Sequence, residues 1–161
     1  MEKTTKEKAD ENIHDNIVEN LQDLLKENYD AEKVFKQGIE NTDNIQLKRF
    51  LQNQALQRNR FADELTHEIL ELNEKPTQKS TVAGDIHRAW VGLKNSFSSN
   101  NDETVLKEAI NGEKSSMEEY KNRLEKHNFP PRIRQVVQRQ ADEIHETLQR
   151  IRTYEDLANF E

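Results

Sequence analysis

The chain contains no cysteine, only four glycines and three prolines, and no uninterrupted apolar run longer than three residues. Without cysteine there can be no disulfide, no thiolate metal site and no cysteine nucleophile. So little glycine and proline argues against a β protein, whose many tight turns need both. The short apolar runs exclude a membrane-spanning helix, which needs about 20 consecutive apolar residues. The opening segment MEKTTKEKADEN has no apolar stretch of the kind a secretory signal carries, and a cytoplasmic location is expected. Basic residues are also outnumbered, 24 against 31 acidic ones, for a net charge of -7. That balance repels nucleic acid and anionic membranes, so neither is expected as a partner.

What remains is a chain of 161 residues, the size of one domain, that is 34% charged and 32% hydrophobic. Such polarity suits helices that each bury one stripe. Residues 1–12 carry almost nothing apolar and read as a flexible charged tail. Residues 13–161 read as one helical domain. Val18, Leu21, Leu25, Asn28, Glu32, Phe35 and Ile39 recur every three or four residues, which is the spacing of one helix face. Gly38 to Asn44 breaks that run, with Asp43 or Asn44 available as an N-cap for the next. The second stripe runs through Leu47, Leu51, Gln54, Arg58, Phe61, Leu65, Ile69 and Leu72.

The stretch from Pro76 to Asn101 is too long for a hairpin loop and holds a short stripe of its own, Ile86, Trp90, Leu93 and Phe97, with Ser80 or Thr81 as its cap. A third long helix is expected from Asp102 to about His127, with Leu106, Ala109, Glu113, Met117, Tyr120 and Leu124 facing inward. Pro131 suits the first position of a fourth helix, whose stripe continues through Ile133, Val137, Gln140, Ile144, Leu148, Ile151, Tyr154 and Leu157. Four long helices joined short, long, short describe an all-α, ferritin-like four-helix bundle with one long crossover between helices two and three.

The segments LKENYDAEKVF (25–35), QRNRFADEL (57–65), TVAGDIHRAWVGLKNSF (81–97), NGEKSSMEEY (111–120) and RQADEIHETLQRIR (139–152) resemble an uncharacterised bacterial family of ferritin-like four-helix-bundle proteins. The resemblance implies the fold and a bacterial origin, and no settled activity.

Ferritin-like di-iron proteins place a Glu on two helices and a Glu-x-x-His on the other two, all facing inward. Glu32, Glu64 with His67, Glu113, and Asp142 with His145 supply those residue types here. Helical geometry separates them. At about 100° per residue, Glu32 and Glu113 fall in the middle of their stripes, whereas Glu64, His67 and Asp142 turn away. His145 has a suitable height but lies off its stripe. Glu32, Glu113 and His145 are therefore the candidate metal ligands, with iron or manganese as the candidate ion. The inward polar residues at the same level are Gln54, Arg58 and Gln140. A guanidinium aimed between two carboxylates would fill the niche a cation occupies elsewhere. A buried network of Glu32, Arg58, Glu113, Gln54 and Gln140 is therefore expected.

Two functional classes follow. One is a non-catalytic helical-bundle protein with a structural, interaction or stress-associated role. The other is a carboxylate-bridged di-iron or di-manganese protein acting in oxidase, peroxide-scavenging or iron-handling chemistry. A homo-oligomer formed through apolar surface near Trp90 is a further candidate assembly.

Overall fold

The structure is a computed structural model that describes residues 2–80 and 83–159. It is all-helical, with no strand among the described residues. Five α-helices follow in order: α1 (Thr5–Ile39), α2 (Ile45–Glu71), α3 (Gly84–Ser96), α4 (Asp102–Lys126) and α5 (Pro131–Arg150). A 3-10 turn, Phe97–Ser99, follows α3, and a second, Tyr154–Asn159, lies near the end of the chain. Among the described residues no helix is long and apolar enough to cross a membrane.

Helix α1 begins at Thr5, well inside the segment expected to be a tail. A capping box explains the early start: Thr4 accepts from the Glu7 backbone N–H and the Glu7 carboxylate accepts from the Thr4 N–H. Every residue from 2 to 13 is exposed, so this part of α1 is helical by local capping rather than by burial. Asn44 caps α2 by accepting from the Leu47 N–H at 2.9 Å. The N-cap of α3 is Ala83, not Ser80, and Thr81 lies outside the described residues. Pro131 opens α5, as its fixed φ favours.

The C-terminal end departs from the expected continuous stripe. Helix α5 stops at Arg150, and Ile151 is extended. The Asp156 carboxylate then accepts from the backbone N–H groups of Arg152 (2.7 Å) and Thr153 (3.0 Å), which reverses the chain. The reversal folds Ile151 and Leu157 back into the core beside Phe50 and Leu51.

Contacts along the helices fix their directions. Arg58 meets Asn28 and Gly38 lies beside Leu51, so α1 and α2 are antiparallel. Glu27 meets Ser116 and Asn20 meets Arg123, so α1 and α4 are antiparallel as well. Tyr120 meets Gln140 and Leu124 meets Arg134, while Arg60 meets Glu143 and Glu64 meets Arg139, so α5 is antiparallel to both α4 and α2. Helices α2 and α4 therefore run the same way, and the connection between them returns along their length. Helix α3 lies in that connection and packs on α4 and α1. Its four stripe residues Ile86, Trp90, Leu93 and Phe97 are all buried.

The apolar core falls into two clusters. One gathers Phe35, Leu51, Trp90, Leu93 and Leu106 toward the α1–α2 turn. The other gathers Leu21, Leu25, Phe61, Leu65, Val137 and Ile144 toward the opposite end. Between them lies a layer of buried polar side chains.

Candidate functional site, a buried Arg-carboxylate layer

Each helix delivers its layer residue through its own periodicity. Helix α1 buries Asn20, Glu27 and Val34 at intervals of seven, beside Leu24, Asn28, Ala31 and Phe35. Arg58 follows Leu51 and Gln54 along the buried face of α2, and Glu113, Ser116 and Tyr120 follow Ala109 on α4. Gln140 comes from α5 between Val137 and Ile144.

The guanidinium of Arg58 is fully buried. One nitrogen, Nη2, donates to Glu113 Oε2 at 3.0 Å. The other, Nη1, donates to Asn28 Oδ1 at 3.0 Å and makes a long contact of 3.5 Å to Glu27 Oε1. The Ser116 hydroxyl donates to the same Glu27 oxygen. Asn28 Nδ2 in turn donates to the Tyr120 hydroxyl at 2.9 Å, which donates to Gln140 Oε1 at 2.7 Å. Gln140 Nε2 completes the chain to Phe61 O and Glu64 Oε1, at 3.2 and 3.0 Å. The ring of Trp90 covers the guanidinium, 5.5 Å from its centroid to Cζ, and sits edge-on to Phe35. Glu27 Oε2, Glu113 Oε1, Gln54 Oε1 and Arg58 Nε have no hydrogen-bond partner among the described residues.

Two carboxylates thus share one cation in the buried interior. Burial pushes the Glu27 carboxyl up to about 7, against the opposing pull of Arg58 and the Ser116 hydroxyl. Burial also raises Glu113, and there Arg58 opposes it through both charge and a hydrogen bond. For Arg58, desolvation pulls downward, but Glu113 and Glu27 together outweigh it and raise the guanidinium further. One guanidinium thus faces two carboxylates, with its 3.0 Å hydrogen bond going to Glu113 and only a longer 3.5 Å contact to Glu27.

Of the residues expected at this level, the structure brings Arg58 and Glu113 together and buries Gln54 and Gln140. It does not bring Glu32. That side chain lies at the edge of α1, where it accepts from Asn59 Nδ2 at 3.1 Å and pairs with Lys36 at 2.9 Å. Glu27 takes its place. The stripe through Asn28 and Glu32 advances by four where the buried face advances by three, to Ala31. A small alanine gave little signal, yet the seven-residue interval Asn20, Glu27, Val34 was available to find Glu27. Ser116 was missed because the Ser115–Ser116 pair, with no His-Asp arrangement near it, carries no signal of burial.

The donor set does not fit a di-metal centre. His145 and His67 are exposed, and Arg132 approaches His67 Nε2 at 3.1 Å. Glu64 is engaged by Arg139 at 2.7 Å, and the two buried carboxylates have a guanidinium between them. Among the described residues, no three His, Cys, Asp or Glu side chains are grouped to hold a metal ion.

No curated protein matches the chain. One family model does, over residues 16–126, a span holding Glu27, Arg58, Trp90, Glu113 and Ser116 but not Gln140. Spanning α1 through α4, that match shows that the chain belongs to the family described as a domain of unknown function, DUF2383.

Proposed function

We propose that this chain is a ferritin-like four-helix bundle that has exchanged the metal niche for an arginine, and that it acts as a non-catalytic structural or interaction protein. The parallel α2 and α4, joined by a returning connection, support the ferritin-like reading. The single observation that carries the functional reading is the position of Arg58, fully buried between Glu27 and Glu113. A guanidinium there supplies the positive charge that a bridging cation would supply, and it also excludes the cation by charge and volume. A bacterial, cytoplasmic protein with a stress-associated role is consistent with the sequence resemblance and the absence of cysteine.

Elemental analysis of protein purified without chelators tests the reading. The expected result is negligible iron and manganese, with no stoichiometric uptake when ferrous iron is added under anaerobic conditions. Roughly two metal ions per chain would instead restore the carboxylate-bridged oxidase, peroxide-scavenging or iron-handling reading.

A further inference from the structure

Helix α3 is the cover of the polar layer. Trp90 rests on Gly112 and over the Arg58 guanidinium, while Ile86 walls a cavity of about 350 Å³ that opens between α1, α3 and α4. The same cavity is lined by Glu27, and by Asp23, Lys26, Glu119 and Arg123 at its polar rim. The cavity thus reaches the Glu27 side chain, which is otherwise almost wholly buried, and Ile86 of α3 forms part of its wall.

The attachment of α3 is unlike that of the other helices. Its side-chain hydrogen bonds are internal, Arg88 to Asp85 and Ser96 to Leu93 O. Among the described residues, no hydrogen bond or ion pair ties α3 to α1, α2, α4 or α5. Apolar burial of Ile86, Trp90 and Leu93 holds it, together with the attraction of His87 and Lys94 for Asp30 on α1. A helix held this way can lift without breaking a hydrogen bond or ion pair to the bundle, at the cost of its apolar burial and of the Trp90 contacts with Arg58 and Phe35.

We propose that α3 is a proton-controlled lid: it closes over the layer while Glu27 holds a proton, and it opens more often when that proton leaves. With Glu27 neutral, the one guanidinium of the layer faces at most one carboxylate charge, that of its 3.0 Å partner Glu113. With Glu27 ionised, a second carboxylate competes for that one guanidinium, and lifting α3 relieves the competition by widening the cavity to water. The groups facing Glu27 are Arg58 from α2 and Ser116, Glu119, Tyr120 and Arg123 from α4, with Asp23 and Lys26 beside it on α1. From α3, the apolar Ile86 lines the cavity that Glu27 also lines. The inference goes beyond the metal-free reading and does not depend on it.

The sign is set by the raised folded-state value. Glu27 favours the closed state fully below its ordinary 4.5 and loses that contribution as pH rises through about 7. If open α3 restores an ordinary carboxyl, the opening constant rises on the order of 70-fold between pH 5 and pH 8.

Two readouts follow the lid: amide hydrogen exchange of α3, corrected for its intrinsic pH dependence, and acrylamide quenching of the single tryptophan, Trp90. In the intact chain both should increase with a midpoint near 7, while amides at the centre of α2 change much less. Glu27→Gln, a neutral isostere, should keep α3 closed throughout. Ser116→Ala removes a hydrogen bond that favours ionised Glu27, so it should move the midpoint upward, and this decides the matter should Glu27→Gln fail to fold. His87→Gln should leave the transition in place. A flat profile in the intact chain, an equal change across α2 and α3, the same transition in Glu27→Gln, an unmoved midpoint in Ser116→Ala, or its loss in His87→Gln would each overturn the proposal.

Discussion

Replacing Arg58 with alanine tests the layer directly. In the native structure the guanidinium donates at 3.0 Å to both Glu113 and Asn28 and lies 3.5 Å from Glu27. Its loss leaves two buried carboxylates without a counter-charge and the Trp90 ring without its cationic partner. Removing one member of a buried ion pair costs about 3–5 kcal/mol. For a chain of this size that corresponds to a fall in Tm of roughly 6–20 °C at pH 8, at about 2–4 °C per kcal/mol. The loss is pH-dependent, and its sign follows from Glu113. Arg58 holds that group down against burial, so the variant's folded-state value rises further. Protonation then compensates at low pH, and the destabilisation is smaller at pH 5 than at pH 8. Calorimetric melts at the two values measure it. A difference of about 1 kcal/mol or less, equal at both, is the surface-site result and would refute the buried layer. Arg58→Met combined with Glu27→Gln and Glu113→Gln, which removes every charge, should recover most of the stability, since apolar replacement of a buried ion cluster is often neutral or better.

Other variants probe the surroundings. Gly112→Ala would set a Cβ against the Trp90 ring, with two ring carbons at 2.8 Å, so Tm should fall by the equivalent of about 1–3 kcal/mol, and an unchanged melt would deny the close approach. Glu32→Gln should cost about 1 kcal/mol or less, because its partners Lys36 and Asn59 are exposed, and a loss matching Arg58→Ala would return Glu32 to the network. Removing residues 2–12 deletes exposed helix only; Tm should move by no more than about 4 °C, the equivalent of roughly 1 kcal/mol.

Periodicity made the helices legible, and turn chemistry made several boundaries so. Asn44, Pro131 and the Ile86–Phe97 stripe all act as their residue types dictate. Counting outward from the turn near Asp43 aligns position 54 with 32, and the observed partners Arg58 and Asn28 keep that same alignment. What periodicity could not resolve was which of two neighbouring positions faces in. Helix α1 packs on α2, α3 and α4 together, so its buried face is wide and includes both Glu27 and Asn28. Glu32, one step beyond Ala31, falls outside it. The end of α5 was hidden for a different reason: Ile151, Tyr154 and Leu157 keep helical spacing, but Asp156 captures the backbone N–H groups that would have continued the helix.

The division of the core also bears on how the chain finds one alignment. An apolar seam repeating every seven residues is nearly indifferent to sliding, since one leucine replaces another. Shifting α1 by seven residues against α2 would exchange Glu27 and Asn28 for Asn20 and Leu21 opposite Arg58. Leucine would meet leucine elsewhere at little cost, but the guanidinium would be buried without a carboxylate from α1. One charged level set between two oily ones thus works as an index mark: it contributes little to how strongly the helices adhere and much to where along one another they stop.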